Sequence, residues 1–262
     1  MTTLAHALGD SATMVARQLL HMRRYPSMTL TLMGMPIVFL LLFVYVFGGA
    51  MGAEGAVGNR ADYANYIAPG ILLITVASAA QGTAISVAMD MTEGIVARFR
   101  TMAIARVSVL TGHVVGSLVQ AMLTVAAVTA VALLVGFRPS AGPVEWLAAL
   151  GLLAAVSFAL TWLSVALGLV AKTVESASNL PLPLVFLPFL GSGFVPTETL
   201  PAGIRWFAEY QPFTPIIETL RGLLTGTEIG SSGIAALAWC AAIALASYLW
   251  ARKLYDRDPS AS

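Results

Sequence analysis

The sequence predicts an all-α membrane protein with six transmembrane helices. An interfacial helix precedes the first span, and a re-entrant helical hairpin lies between the fifth and sixth. Three observations carry this expectation. Of 262 residues, 58% are hydrophobic and only 10% charged, whereas a soluble domain is about a quarter charged. Six stretches lack Asp, Glu, Lys and Arg altogether: 26–53, 63–89, 107–137, 146–171, 176–197 and 229–251. Each reaches the length of about 20 mostly apolar residues that a spanning helix needs. The third observation is the loop charge. With six spans, ten Lys/Arg residues fall on the side of both termini and four (Arg60, Arg138, Arg205, Arg221) on the other. The excess of positive charge places both termini in the cytoplasm.

The elements follow in chain order. Residues 4–25 form the interfacial helix. Leu4, Leu8, Val15, Leu19 and Met22 fall on one side of the wheel, and His6, Asp10, Arg17, His21 and Arg24 on the other. That separation suits a helix lying in the headgroup region, with Arg17, Arg23 and Arg24 as its basic residues. Pro26 ends it and turns the chain into the first span. The spans are expected at 28–50, 65–89, 108–137, 146–171, 177–196 and 230–251. The fifth is short or kinked, because Pro181, Pro183, Pro188 and Pro196 interrupt it together with Gly191 and Gly193. Such breaks survive in a bilayer where neighbours satisfy the freed backbone groups.

Between the second and third spans runs "DMTEGIVARFRTMAIAR", with Asp90, Glu93, Arg98, Arg100 and Arg106 as its charges. At the bilayer centre each charge costs about 2.5–3.5 kcal/mol, on the order of 12–17 kcal/mol together, so the stretch is cytoplasmic. Met91, Ile95, Phe99 and Met102 recur at helical spacing and predict a short amphipathic helix over 91–103. Periodicity alone leaves two readings open: a helix offered to a partner, or one resting on anionic headgroups.

Residues 197–228, on the outer side, are too long for a turn and too apolar for a solvated loop. "LPAGIRWFAEY" and "QPFTPIIETLRGLLTG" predict two short helices. Thr214 is the expected N-cap of the second, Pro215 its first residue and Gly226 its stop. Glu218 and Arg221 are spaced to pair. Trp206, Phe207, Tyr210 and Phe213 favour a hairpin dipping into the outer leaflet; a small cap outside the lipid is the other reading.

Several chemistries are excluded. The single cysteine, Cys240, allows no internal disulfide. His6, His21 and His113 form no metal motif, and no nucleophile motif occurs. Serines within the spans fit the small-residue habit of packed membrane helices. No nucleotide-binding loop is present: "GLVAKT" lacks the glycine before its lysine. No Asp, Glu, Lys or Arg lies well inside a span, which argues against an ion-coupled carrier. Net charge is +1, so nucleic acid is not an expected partner. Residues 1–28 lack the continuous apolar run of a secretory signal. Arginine outnumbers lysine 12 to 2, a composition typical of GC-rich bacteria.

"EGIVARFRTMAIAR" (93–106) resembles the cytoplasmic coupling element of ABC-2-type transporter permeases, with an acidic residue and glycine followed by spaced arginines. "QPFTPIIETLRGLLTG" is similar to that family's segment before the last span. "DMTEGIVARFR" and "ARVSVLTG" resemble the daunorubicin/doxorubicin-resistance type of efflux permease. The resemblance spans essentially the whole chain and departs at Ala103, where many relatives carry proline.

The resemblance implies the ABC-2, or type V exporter, fold in a bacterial plasma membrane. It also implies a non-enzymatic permease without a cofactor of its own. A second permease copy, making a homodimer, and two ATPase subunits that bind ATP and Mg²⁺ would complete the assembly. Ile95 and Phe99 would make the apolar contact with the ATPase. Glu93, Arg98 and Arg100 would make the charged ones, within a coupling segment that also includes Gly94 and Arg106. The interfacial helix would dock beside them. The substrate, an amphipathic drug, antibiotic or lipid-like molecule, would pass between the two permeases along spans one, two and five. Ser78, Gln81, Thr83 and Ser86 are candidate lining, and each serves equally well as an inter-helix hydrogen bonder. Export of a polysaccharide or lipid-linked glycan is the alternative within the family. An ATP-independent carrier is the alternative outside it.

Overall fold

The computed structural model describes residues 26–48, 60–92 and 106–255. Among them there is no strand. Helix α1 (Pro26–Leu42) runs on into a π-helical turn, Phe43–Phe47. Then come α2 (Arg60–Thr92), α3 (Arg106–Val135) and α4 (Pro143–Val170). Two short helices follow, α5 (Val174–Asn179) and α6 (Leu182–Phe186), the latter tightening into a 3₁₀ turn at Leu187–Leu190. The chain closes with α7 (Ala202–Tyr210), α8 (Phe213–Thr225) and α9 (Ser232–Tyr255). Four of these, α2, α3, α4 and α9, hold stretches long and apolar enough to cross a membrane. Met33–Phe47 and Val174–Leu190 are shorter apolar helical segments.

Helix α2 is the axis of the fold. It is buried around most of its circumference and packs on α1, α3, α4, α5 and α8. Its composition allows this. Ala64, Ala68, Gly70, Ala77, Ala80, Gly82, Ala84 and Ala88 keep its surface low, so neighbouring backbones come close. At two places they come as close as atoms allow. A Cβ on Gly168 of α4 would lie 2.7 Å from the Ala84 carbonyl oxygen, and one on Gly70 would lie 2.8 Å from the Gly193 carbonyl oxygen. Helices α3 and α9 bury one stripe and turn Leu123, Leu134, Ile234, Leu237, Leu245 and Leu249 outward, as lipid-facing helices do. One large apolar cluster joins α1, α2, α3, α4 and α8; a smaller one links Val87, Val114, Trp162, Val165 and Ala251. There the Tyr248 ring stands edge-on to Trp162 at 5.0 Å.

The fifth expected span, 177–196, is broken into several pieces. Thr173 and Ser176 form a reciprocal capping box that starts α5. Pro183 and Pro188 then sit in the first turns of the segments that follow, where the missing N–H is harmless, but neither can continue a helix already running. One expectation is corrected. Helix α8 starts at Phe213 after Pro212, so Thr214 is not its N-cap and Pro215 lies within its first turn. The Thr214 hydroxyl instead donates to the Ala208 carbonyl and ties α8 to α7. Gly226 stops α8 in the left-handed conformation, φ 75°, which glycine adopts without steric cost. Helix α2 continues through Thr92, so Met91, the expected start of the 91–103 helix, is still part of α2. Residues 93–105 and the expected interfacial helix at 4–25 lie outside the described residues.

Two glycines of α4 make a paired prediction. Gly151 has open space around its Cβ position, whereas Gly168 faces α2. Gly151→Ala should hold or raise thermal stability in detergent by up to about 1 kcal/mol through helix propensity. Gly168→Ala should lower it by about 1–3 kcal/mol through overpacking. Equal unfolding midpoints for the two variants would contradict the close approach of α2 and α4.

Candidate functional site

A helix broken inside an apolar environment leaves carbonyls without N–H partners, at several kcal/mol for each one unsatisfied. Between residues 174 and 195 the chain repairs some of this locally: Leu184 N–H donates to Pro181 (2.9 Å) and Gly191 N–H to Pro188 (3.4 Å). The other donors come from elsewhere. Gln81 of α2 gives its Nε2 to the Ser178 carbonyl at 2.7 Å. Gln211, just before α8, gives its Nε2 to Leu187 at 3.1 Å. Arg221 of α8 donates through Nη2 to the carbonyls of Ser192 and Tyr66. Three long polar side chains thus hold the broken segment along its length.

Arg221 is the most heavily used of the three. Its side chain is 8% exposed, and Nη1 meets Glu218 Oε1 at 2.7 Å. Its guanidinium lies 4.0 Å over the Tyr66 ring, a cation–π contact strengthened by burial. Planar, delocalised and weakly hydrated, a guanidinium serves carboxylate, carbonyls and ring together, which a lysine ammonium cannot. Small residues clear the way. A Cβ on Gly191 would lie 2.6 Å from Gln211 Nε2 and 2.7 Å from Thr214 Oγ1. The turn after α3 fastens the same end: Arg138 N–H donates to Asn65 Oδ1 (2.7 Å) and Ser140 N–H to the Leu224 carbonyl (3.0 Å).

The broken segment meets α1 through aromatic rings. Phe43 and Phe47 of the π-turn lie 5.4 Å apart. Phe43 packs on Phe194 at 4.5 Å, and Phe194 stacks on Phe189 at 4.5 Å and 10°. Phe39 meets Phe189 edge-on at 5.3 Å, and Phe186 reaches the same ring at 6.3 Å. The outward side of these two elements carries Met35, Val38, Tyr45, Val46, Leu180 and Phe186. Tyr45 holds the Arg60 guanidinium over its ring at 3.9 Å.

The two helices after the broken segment differ sharply. Helix α8 buries nine residues, among them Phe213, Ile217, Leu220 and Leu224. Helix α7 buries only Ala208 and turns Ile204, Trp206, Phe207 and Tyr210 outward, with an exposed Arg205–Glu209 pair at 2.7 Å. That pairing holds the Arg205 proton more firmly than usual, first through the hydrogen bond.

Among the candidate lining residues, Ser78 and Thr83 are buried within the protein, and the Thr83 hydroxyl donates to the Ala79 carbonyl of its own helix. Gln81 bridges to Ser178, the inter-helix alternative that the sequence left open, and Ser86 is half-buried. Glu93, Gly94, Ile95, Arg98, Phe99 and Arg100, with Arg17, Arg23 and Arg24, lie outside the described residues; Arg106 opens α3. No group of His, Cys, Asp and Glu among the described residues could hold a metal ion. Sequence reasoning paired Arg221 with Glu218 but missed its carbonyl and Tyr66 contacts, and missed Gln211 entirely. The available signal was the broken span itself, which demands donors, beside an arginine and a glutamine in an otherwise apolar stretch.

Arg221→Met removes the donor to Ser192 and Tyr66 and leaves Glu218 unpaired. The expected loss of stability is about 3 kcal/mol, the low end for breaking a buried pair, because Glu218 is 38% exposed. Glu218→Gln keeps the carbonyl bonds and a neutral acceptor for Nη1 but removes the counter-charge of a buried guanidinium, and should cost about 1–2 kcal/mol, less than Arg221→Met. Unfolding of the two variants in detergent would refute the carbonyl role of Arg221 if their losses were equal.

Residues 11–225 match the family model described as ABC-2 type transporter. The daunorubicin resistance ABC transporter permease protein DrrB1 of Streptomyces coeruleorubidus is 27% identical over 224 residues, covering 85% of this chain and 77% of that protein. The probable doxorubicin resistance ABC transporter permease protein DrrC of Mycobacterium tuberculosis is 23% identical over 207 residues, covering 79% and 75% respectively. A helical, membrane-embedded chain matched over most of its length in this way belongs to the ABC-2 type transporter family.

Proposed function

We propose that this chain is the permease subunit of an ATP-driven exporter that moves an amphipathic drug-like or lipid-like molecule out of a bacterial cell. The observation that carries the reading is family membership across residues 11–225, in a chain without a nucleotide-binding loop. Such a chain needs a separate ATPase. The relatives' names, daunorubicin and doxorubicin resistance permeases, favour a drug-like cargo over a glycan.

In this reading α1 with its π-turn is the first span and the broken α5–α6 segment the fifth, making six in all. Both termini are cytoplasmic, and α7–α8 is the hairpin entering from outside. Two copies of the chain join two ATPase subunits, with the cargo passing between the copies. The ATPases grip the segment around 91–103 through Ile95 and Phe99, with Glu93, Arg98 and Arg100 as charged contacts. Gly94 and Arg106 belong to the same segment, and Arg17, Arg23 and Arg24 lie in the helix beside it. Of the four α2 candidates for the wall of the route, Ser86 and Gln81 are the partly exposed ones, while Ser78 and Thr83 are buried within the chain. Helix α2 gives the stroke a path. At 1.5 Å per residue its 33 residues make a rod about 50 Å long. It runs from the coupling segment to Tyr66, beneath Arg221. Movement at its inner end is therefore delivered to the outer hairpin.

The double variant Arg98→Glu/Arg100→Glu, expressed with the ATPase, tests the grip. Co-purification of the ATPase and ATP-dependent efflux should both fall more than about tenfold, as charge reversal at an interface does. Unchanged association and efflux would remove the coupling role. Transport by the purified chain alone in ATP-free vesicles would make it a carrier instead.

A further inference from the structure

We infer that buried water sits in the joint where the broken segment meets α8, held by Arg221 Nε, Gln211 Oε1 and Ser192 Oγ.

All three residues are more than nine-tenths buried: Ser192 is 3%, Gln211 4% and Arg221 7% exposed. Each nonetheless keeps one side-chain atom that meets no hydrogen-bond partner among the described residues. The three atoms belong to groups that touch one dipeptide, Gly191–Ser192. Arg221 donates through Nη2 to the Ser192 carbonyl, and Nε is bonded to the same guanidinium carbon. Gln211 Nε2 lies against Gly191, and Oε1 shares its amide carbon.

Neither the arginine nor the glutamine can satisfy its spare atom by turning. Nη1 of Arg221 is engaged by Glu218 and Nη2 by the Ser192 and Tyr66 carbonyls, which fixes the guanidinium plane. The Gln211 amide is fixed by the Leu187 carbonyl. A carbonyl only accepts, so the amide presents its nitrogen there and its oxygen points away. The other hydroxyls in this condition, Ser157 and Ser164, lie within α4. Each can rotate onto a carbonyl one turn back in its own helix, Leu153 or Leu160, as Thr75 does to Ile71 and Thr129 to Val125. Ser192 lies in a turn outside any helix, where no such carbonyl is supplied.

The chemistry of the three atoms selects the ligand. Nε–H is a donor, the amide oxygen an acceptor, and the hydroxyl either one. An anion would face the lone pairs of Gln211, and a cation would face the guanidinium. Water accepts from the first and donates to the second. About three bonds to otherwise unsatisfied groups is also how buried water is ordinarily held. Little larger is admitted on the Gly191 side, where a single added carbon would stand 2.6 Å from Gln211 Nε2 and 2.7 Å from Thr214 Oγ1. A water-bridged bond is nearly as favourable as a direct one, so water completes the Arg221 joint and does not loosen it.

The full-length chain in lipid nanodiscs, enlarged by a rigid antibody fragment, is imaged by electron cryomicroscopy at a resolution that shows bound water elsewhere on the chain. A water should lie about 2.7–3.2 Å from Arg221 Nε and at the same reach from Gln211 Oε1, Ser192 Oγ or both. Ser192→Thr and Ser192→Val have nearly the same shape and differ in the hydroxyl. The water should persist in Ser192→Thr and be lost in Ser192→Val, with the lower unfolding midpoint in Ser192→Val. If neither variant folds, the map of the unaltered chain decides alone. A joint without water density, an ion or acyl chain in its place, or direct protein bonds to the three atoms would overturn the inference. Water held equally in both variants would remove Ser192 from the site.

Discussion

Carbonyl groups freed by the breaks between Val174 and Val195 must find donors in an apolar setting, and much of the structure is arranged to supply them. Gln81, Gln211 and Arg221 reach in from α2, from the turn before α8 and from α8 itself. Without them the broken segment would carry unsatisfied backbone that a bilayer penalises heavily. With them it becomes a fixed but irregular wall. Arg221 is the strictest part of this arrangement. It is almost fully buried, it joins three elements, and its own charge is balanced by Glu218 and the Tyr66 ring. The burial of α8, the outward set of α7 and the glycines at 191 and 193 all suit that one docking geometry.

Helix α2 supplies the other half of the constraint. An axis packed by several helices must be slim, and its alanines and glycines make it so. Slimness brings Gly168 against Ala84 and Gly193 against Gly70, so at these two places backbone meets backbone, between stretches packed through side chains such as Ile67, Ile71 and Leu73. Such contacts hold by dispersion and shape and leave little room for adjustment. Along its 33 residues α2 reaches from Thr92 past Tyr66, whose ring lies beneath Arg221. The irregular backbone lies in α1 and the broken segment, where Phe47 and Phe186 are among the protein's exposed rings.

Much of this was legible beforehand. Charge-free stretches marked out the apolar helices because hydrocarbon excludes charge, and spacing alone paired Glu218 with Arg221. Four prolines declared the fifth stretch broken, and Gly226 declared the end of α8. The start of α8 was misread because Thr214 suits an N-cap locally, while its hydroxyl finds a better partner at Ala208, a contact only the α7–α8 packing creates. Gln81 shows the same limit. A polar residue in a span reads equally well as route lining or as a structural donor, and only the approach of Ser178 decides what it bonds.

Composition, periodicity and proline by themselves determined that the chain is helical, membrane-embedded and interrupted near residue 181, since burial of charge and loss of N–H are local costs that each residue carries with it. The tertiary structure alone decided which side chains answer those costs. Gln211 and Leu187 are 24 residues apart, and Arg221 and Tyr66 are separated by 155. No pattern within a helix records such pairings, because they depend on how closely α2, α8 and the broken segment can approach. The phenylalanine contacts between α1 and the broken segment are of the same kind: the rings are scattered along the chain, and packing brings them together.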